Sequence, residues 1–157
     1  MTPPSQSAPK QTYAKPEVIA RGLLTRGPSV LVCRNLAKGY CYLPGGHIEP
    51  GELAAQSLVR EFEEETGLAV RATSPSLIAE VLFGKAGHEI NVVFHVEHRG
   101  ELPEVVESKE ADIGFEWLDA AAIVDADLRP RAIKAWLVGG GLTQHAGVDF
   151  VSDRQID

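Results

Sequence analysis

The stretch that decides the fold begins with Gly46-His-Ile-Glu-Pro-Gly-Glu52 and, after seven residues, continues with Arg60-Glu-Phe-Glu-Glu-Glu-Thr-Gly-Leu68. Its composition predicts a helix from about Pro50, because proline suits a first turn and good helix formers fill the interior. Gly67 stands where a glycine commonly caps the C-terminus of a helix. We therefore expect a helix of about four turns between a glycine turn and Gly67.

The expected helix carries an apolar stripe and an acidic stripe. Glu61, Glu64 and Glu65 share the acidic stripe at separations of three and four residues, where like charges repel and weaken a helix. Taken alone, such a pattern is most often a solvated acidic face. A hard cation with oxygen ligands, Mg2+ or Mn2+, would relieve the repulsion in a partly buried cluster. The apolar stripe, which we expect to pack on the core, consists of Ala54, Ala55, Leu58 and Phe62.

Further residues at fixed spacings favour the metal site. Arg60 lies four residues before Glu64, Glu52 lies eight residues before Arg60, and the pair Gly45-Gly46 precedes both. Together they resemble the Nudix box, G-x5-E-x7-R-E-U-x-E-E-x-G-U, in which U is a bulky apolar residue. Every position is met, with Phe62 where an aliphatic residue is more usual. The resemblance implies an α/β fold, a Nudix-type α/β/α sandwich with a mixed β-sheet and the catalytic helix against one side.

The resemblance also implies a set of metal ligands. In Nudix hydrolases the glutamates that match Glu64 and Glu65 bind the essential metal. A main-chain carbonyl in the preceding glycine turn, which corresponds to Gly45, assists them. The position of Glu61 supplies a further metal contact or, in some members, the general base.

Other positions of the motif are implied to support the site. Glu52 matches an auxiliary group of the metal shell, and Arg60 matches an arginine that orients the carboxylates through a salt bridge. The general base lies on this helix in some Nudix groups and on a distant loop in others, so Glu61 competes with the loop residues Glu107 and Glu110. We also predict Glu110 as an additional metal ligand, against the alternative of a plain solvated side chain.

These residue types suit the hydrolysis of a phosphoanhydride bond. Bound divalent ions neutralise phosphate charge, help to deprotonate a water and align the leaving phosphate. The resemblance implies a nucleoside diphosphate linked to another group as the substrate. ADP-ribose hydrolases of the family tend to carry a proline shortly after the box, where this chain has Phe83 and Gly84, and diadenosine-polyphosphate hydrolases tend to carry a tyrosine, which is absent after Tyr42. These absences favour a nucleoside triphosphate or an enzyme of broad specificity, with a nucleotide sugar close behind.

Three classes of function stay open from the sequence. The first is a Mg2+-dependent pyrophosphohydrolase, which the complete set of box glutamates favours. The second is a catalytically silent Nudix domain that binds a nucleotide as a sensor, although such domains typically lose one or more of these glutamates. The third is an acidic protein whose glutamate helix meets solvent or a partner.

Length and composition predict a single cytoplasmic domain. The chain has 157 residues, 44% apolar content and a net charge of -7, which suits one well-formed core and argues against a nucleic-acid-binding surface. No stretch approaches the length of a membrane span, and the N-terminus lacks the apolar segment of a secretory signal. We expect a small-molecule nucleotide as partner, neither nucleic acid nor membrane, with room for a homodimer. Cys33 and Cys41 are expected to be buried and reduced.

The chain divides into a domain at 17–150 between two tails. Residues 1–16 are rich in proline and poor in apolar groups, so we expect a flexible N-terminal tail, and residues 151–157 are expected to form a C-terminal tail. A second helix is expected at about Pro130 to Val138. Strands are expected at Val18–Leu24, Ser29–Arg34, Leu77–Phe83, Ile90–Glu97 and Phe115–Leu118, with a short one ending at Leu43.

Residues outside the box are weaker candidates for substrate contacts. Arg21 and Arg34 lie in expected strands and would meet a phosphate or a base if they face the cleft; an edge-strand surface charge is the alternative reading. Tyr42 and Phe83 could stack a base, although aromatic residues in strands usually belong to the core.

Overall fold

The computed structural model describes residues 14–143 and 146–155. These residues form one mixed sheet and three α-helices. The helices are α1 (Ala54–Thr66), α2 (Ala120–Asp125) and α3 (Arg131–Trp136), and α3 continues as a π-helical turn at Leu137–Gly141. The strands are β1 (Glu17–Arg26), β2 (Ser29–Asn35), β3 (Cys41–Tyr42), β4 (Gly45–His47), β5 (Val70–Phe83), β6 (Gly87–His98), β7 (Ile113–Leu118) and β8 (Asp149–Gln155).

The sheet runs in the order β3-β2-β1-β6-β5-β8, with β4 paired to β1 and β7 paired to β2. The β1–β6 and β5–β8 pairs are parallel, and the other pairs are antiparallel. β1 pairs with β2 only at Thr25 and Arg26, and nearer its N-terminus it pairs with β4 instead. The sheet therefore divides beside β1, and the glycines of β4 lie at that division.

Alternate residues of the strands pack on opposite faces of the sheet, as a period of two requires. Leu23 belongs to a core beneath α2 and α3, whereas the next residue, Leu24, belongs to a core beneath α1. Leu58 and Phe62 of α1 are fully buried, so the expected apolar stripe of this helix does pack on the core. With helices on both faces, the structure confirms the predicted α/β/α sandwich and its mixed sheet.

α1 ends where the sequence predicts and begins later than the sequence predicts. Gly67 caps it in the left-handed conformation, with φ of 73° and a hydrogen bond from its N–H to the Glu63 carbonyl oxygen. Pro50 lies outside the helix because Gly51, with φ of 86°, turns the chain away. The first helical residue is Ala54, and the backbone N–H of Leu53 donates to Gln56 Oε1 at 3.1 Å.

Several elements differ from the sequence expectations: β5 begins at Val70 and β7 at Ile113, both earlier than predicted, and β4 and β8 depend on tertiary partners. The expected glycine turn at Gly45-Gly46 is instead β4, whose backbone pairs with β1. The short helix α2 was not expected. Residues 151–155, expected within the C-terminal tail, continue β8, which pairs in parallel with β5 at the sheet edge. Most of the expected N-terminal tail, 1–13, lies outside the described residues, as do residues 156 and 157.

Cys33 and Cys41 are buried free thiols on neighbouring strands. Each is fully covered, and burial raises the pKa of both, that of Cys33 to about 12. The two cysteines therefore behave as small apolar residues, in agreement with the sequence prediction.

Candidate active site

Arg60 is the centre of a hydrogen-bond network with Glu52, Glu61 and Glu64, which forms the outer half of the site. Its Nε and Nη2 donate to the two carboxylate oxygens of Glu52 at 2.8 and 3.0 Å, and its Nη1 donates to Glu61 at 2.9 Å and Glu64 at 3.2 Å. The forked pair with Arg60 lowers the pKa of Glu52 to about 2. The same hydrogen bonds raise the pKa of Arg60. The expected salt bridge is present, and one guanidinium contacts three carboxylates.

Glu65 occupies the inner half of the site and is in a very different environment. It is 7% exposed, and its Oε2 is buried without a hydrogen-bond partner. Burial, followed by the charges of Glu61 and Glu110, raises its pKa to about 8. A divalent metal ion would stabilise the charged form of a buried carboxylate in this environment.

The loop residue Glu110 approaches this inner half. Its charge is one of those that raise the pKa of Glu65, although Glu110 itself is exposed to solvent. The loop is fixed to the end of α1, because Lys109 donates its backbone N–H to the Glu65 carbonyl oxygen at 2.8 Å and its Nζ to the Glu63 carbonyl oxygen at 3.2 Å. Glu107 lies exposed in the same loop.

The glycines of β4 allow the helix carboxylates and the sheet to approach closely. A Cβ atom at Gly46 would lie 2.5 Å from the carboxylate carbon of Glu61. A Cβ atom at Gly45, which has φ of 135°, would overlap the carbonyl oxygen of Ala20 on β1. Only glycine fits at both positions without a shift of the backbone or of Glu61.

A cleft of about 530 Å³ opens next to these glycines. A wider groove of about 810 Å³ follows the outer side of α1 and is lined by Arg60 and Glu64, but the two glycines do not line it. The smaller cleft is therefore the candidate substrate site. It is lined by Arg21, Tyr42, Gly45, Gly46, Phe83 and Glu89, among others.

Arg21 links the cleft to the glutamates of α1. Its Nε donates to Asn91 Oδ1 at 3.3 Å, its Nη1 donates to the Leu43 carbonyl oxygen at 3.2 Å, and its guanidinium lies 5.1 Å from the centre of the Tyr42 ring. Burial lowers the pKa of Arg21, and the charge of Glu65 is among the groups that act against this shift. Arg21 and Tyr42 thus lie together at the cleft, and Phe83 lines it as well.

The structure does not bring Arg34 to the cleft. Arg34 forms an ion pair with Glu116 of β7 and donates from Nη1 to the Gly39 carbonyl oxygen at 2.6 Å. In the β2–β3 pair, Arg34 stands opposite Cys41, whereas Cys33 stands opposite Tyr42, so Arg34 and Tyr42 point to different faces. Arg34 does not line the cleft and is placed as its alternative reading describes, as a strand charge, so a contact with the substrate stays a prediction.

The sequence analysis missed several residues of the cleft. Lys38, Tyr40 and Arg129 all line it. Arg129 places its guanidinium 4.7 Å from the centre of the Tyr40 ring, and the rings of Tyr40 and Tyr42 are 6.0 Å apart. A basic and aromatic run, Lys38-Gly-Tyr40, just before the motif was the available signal. Arg129 offered none, since it joins the cleft from a separate loop.

The carboxylates are not arranged as a finished metal site. Among residues 14–143 and 146–155, no three His, Cys, Asp or Glu side chains converge closely enough to hold an ion. Arg60 engages Glu61 and Glu64, while Glu65 lies unpaired beside Glu110. The unpaired, buried oxygen of Glu65 and the oxygen-rich donor set fit a hard divalent cation. Within the described residues, no helix is long and apolar enough to cross a membrane.

Comparisons with known proteins agree on one family. The model of the NUDIX domain family matches residues 16–137. An ADP-ribose pyrophosphatase of Methanocaldococcus jannaschii is 33% identical over 105 residues, which cover 64% of this chain and 62% of that protein. The chain thus spans less than two thirds of the length of this relative.

Solved structures show the same fold at low identity. A NUDIX hydrolase from Nitrosomonas europaea has a TM-score of 0.65 and 20% identity, with 83% of this chain and 97% of that chain covered. A MutT protein from Methanosarcina mazei Go1 has a TM-score of 0.64 and 19% identity, with 82% and 93% covered.

Proposed function

The chain belongs to the Nudix family, and on that premise we propose that it is a pyrophosphohydrolase that cleaves a phosphoanhydride bond in a nucleoside diphosphate linked to another group. The observation that carries the proposal is the buried, unpaired carboxylate of Glu65 next to a cleft that holds Arg21. The carboxylate supplies a ligand for a divalent cation, and the arginine supplies a fixed positive charge for a phosphate.

We assign the metal to the carboxylates of Glu61, Glu64 and Glu65, the main-chain carbonyl of Gly45 and, from the loop, Glu110. Nudix hydrolases generally use divalent metal ions, and the all-oxygen donor set favours Mg2+, with Mn2+ as the alternative. When bound, such an ion neutralises phosphate charge and increases the acidity of a bound water.

The remaining residues position the reacting groups. Arg60 holds Glu52, Glu61 and Glu64 in one network, so that their carboxylates are directed before the substrate arrives. Arg21, supported by Tyr42 and the Leu43 carbonyl oxygen, binds a phosphate oxygen of the substrate. Both arginines reduce the repulsion between an anionic substrate and an acidic site.

The general base is a carboxylate close to the attacking water. Glu61 is the candidate on α1, where it packs against Gly46, and Glu110 and Glu107 are the candidates on the loop. A base takes the proton of the water as the oxygen attacks phosphorus, and the leaving phosphate departs with the electrons of the broken P–O bond.

The substrate is proposed as a nucleoside triphosphate or a nucleotide sugar. The cationic side chains of the cleft suit phosphates, and its aromatic side chains suit a base. ADP-ribose, which appears in the name of the relative from Methanocaldococcus jannaschii, is itself a nucleoside diphosphate joined to a sugar. The similarity to this relative therefore supports a nucleotide sugar as the substrate. We further propose that residues 17–155, which include all of β8, act as one cytoplasmic domain, with no nucleic-acid or membrane partner.

A substrate panel tests the proposal. Wild-type protein is incubated with nucleoside triphosphates, nucleotide sugars, ADP-ribose and dinucleoside polyphosphates, with Mg2+, with Mn2+ and with chelator. The nucleotide products and any phosphate or pyrophosphate are then separated and quantified by chromatography. We expect metal-dependent cleavage of one class. Removal of one metal ligand in Glu64→Gln should reduce kcat by about a hundredfold or more.

Glu63→Gln is the matched control, because Glu63 lines the same outer groove as Glu64 but is not one of the carboxylates assigned to the metal. Equal activity of Glu64→Gln and Glu63→Gln would contradict the metal assignment. Absence of turnover across the panel would favour the second candidate, a nucleotide-binding sensor. That candidate is kept because the described carboxylates do not converge as a finished metal site.

A further inference from the structure

On β1 and β6, the side chains that point to one face of the sheet belong partly to the core and partly to the cleft. Those in the cleft form its floor. On β6, the residues that share one face are Glu89, Asn91 and Val93, and on β1 they include Arg21 and Leu23. Val93 and Leu23 are buried beneath α2 and α3, whereas Glu89 and Arg21 line the cleft. The rows therefore change from apolar to charged where the helices no longer cover the sheet.

Asn91 connects the two charged residues of this floor. It is fully buried, its Oδ1 accepts from Arg21 Nε at 3.3 Å, and its Nδ2 donates to Glu89 Oε2 at 3.3 Å. Both ends of the amide are thus used, so the orientation of Asn91 is determined by its two partners. The carboxylate of Glu89 is held in place by a buried residue rather than by a mobile surface side chain.

The charge of Glu89 is opposite to that of the cationic side chains that line the cleft. Lys38, Arg21 and Arg129 are cationic, which suits a phosphorylated substrate, whereas Glu89 repels phosphate. Glu89 forms no salt bridge with any residue in the described part of the chain, although its charge does act on the pKa of Arg21. The hydrolytic roles assigned above do not include it. Because a carboxylate at this position repels phosphate, it suits a part of the ligand that carries N–H or O–H donors.

We propose that Glu89, oriented by Asn91, is a specificity residue that accepts two hydrogen bonds from neighbouring N–H or O–H donors of the nucleoside. A carboxylate has about four acceptor sites, and Asn91 uses one of them. Two parts of a nucleotide present such a donor pair: the N1–H and N2 amino group of guanine, and the 2′- and 3′-hydroxyl groups of ribose. The inference rests on the proposed nucleotide substrate of this cleft.

The test measures binding, so that it does not depend on hydrolysis. GMP, AMP and their 2′,3′-dideoxy forms are titrated into wild-type protein, Glu89→Gln and Glu97→Gln in the presence of Mg2+. The dissociation constant of each ligand is measured by titration calorimetry. Glu97 is the matched control, because it lies on the same strand, is exposed and pairs with Arg71. Melting curves of the three proteins establish that each is folded.

Loss of the charged acceptor is expected to weaken binding of ligands with the donor pair by about 10- to 100-fold, with no change in Glu97→Gln. If the donor pair is the guanine edge, Glu89→Gln weakens GMP and dideoxy-GMP and leaves both adenine nucleotides unchanged. If it is the ribose diol, the variant weakens GMP and AMP and leaves both dideoxy forms unchanged. Either result supports the role of Glu89.

Equal effects on all four ligands, no effect on any of them, or the same loss in Glu97→Gln would overturn the inference. A wild-type protein that binds none of the four would overturn it as well. Discrimination in binding without hydrolysis of any substrate would refute only the proposed hydrolase activity, and hydrolysis without discrimination at Glu89 would refute only this inference.

Discussion

Glu52 and Glu65 belong to the same motif, yet their carboxylates are in opposite electrostatic states. Arg60 holds Glu52 in a forked pair and lowers its pKa to about 2, whereas burial without a partner raises the pKa of Glu65 to about 8. The first carboxylate is neutralised within the protein and serves the framework of the site. The second has a buried oxygen without a hydrogen-bond partner, and under the proposed function it is the carboxylate that binds a cation.

Removal of the inner carboxylate should have the largest effect on activity. Glu65→Gln eliminates the buried ligand, and because a bound metal contributes several kcal/mol to catalysis, kcat should fall by about a thousandfold. The metal-free variant should melt at a higher temperature than the metal-free wild type at pH 9, because an unpaired buried charge is gone. Steady-state kinetics and melting curves check both expectations. A variant with full activity would place the metal elsewhere.

Removal of the outer framework should have a smaller effect on activity and a visible effect on stability. Arg60→Ala leaves Glu52, Glu61 and Glu64 without their shared cation, so we expect kcat to fall by about 10- to 100-fold. Tm should fall by roughly 2–4 °C, since a network of charges contributes more than one exposed pair. Arg60→Lys should recover part of the stability without the forked geometry. If Arg60→Ala matches the wild type in both measurements, the framework role is refuted.

The pH dependence of stability should also distinguish Glu65 from Glu52, and we expect this effect to be the smallest of the three. For Glu65, the pKa is about 8 in the folded state and 4.5 in the unfolded chain, so its protonation stabilises the metal-free fold at low pH, and this contribution is lost as pH rises from 4.5 to 8. For Glu52, the folded pKa of about 2 lies below 4.5, so its contribution is present above pH 4.5 and is lost as pH falls towards 2.

Melting curves from pH 2 to 9, with and without Mg2+, test these slopes. Glu65→Gln should remove the loss of stability between pH 4.5 and 8, and saturating Mg2+ should counter it in the wild type, because the metal binds the deprotonated carboxylate. Identical pH profiles for Glu65→Gln and the wild type, both without metal, would show that Glu65 is not buried as described.

Local pattern was enough to predict the elements whose signals lie within their own residues. β1, β2, β6 and α1 follow from apolar runs, from helical periodicity and from the glycine that caps α1. β4 and β8 could not be predicted in this way, because their residues are glycine-rich or polar and form strands only by pairing with β1 and β5. The late start of α1 likewise depends on the turn at Gly51.

The site likewise contains residues that the sequence could relate to one another and residues that only the fold brings together. The carboxylates, Arg60 and the glycines share one continuous motif, so the sequence alone could relate them, and the structure brings them together. The cleft combines side chains from loops and strands far apart in the chain, such as Lys38, Glu89 and Arg129, and no local pattern relates them. Whether Arg21 or Arg34 faces the cleft is decided by strand alternation and pairing, which the sequence analysis did not resolve.

The rows of β1 and β6 that lead from the core into the cleft have an evolutionary consequence. Glu89 and Arg21 lie on the face of the sheet opposite the core of α1, so mutations at the floor of the cleft leave the packing of Leu58 and Phe62 intact. Under the proposed roles, a change of ligand preference at Glu89 therefore leaves the glutamate helix intact, whereas a change at Arg21 also affects phosphate binding. Gene duplicates with this architecture could acquire new substrates by drift at a few strand positions while inheriting the glutamate helix unchanged.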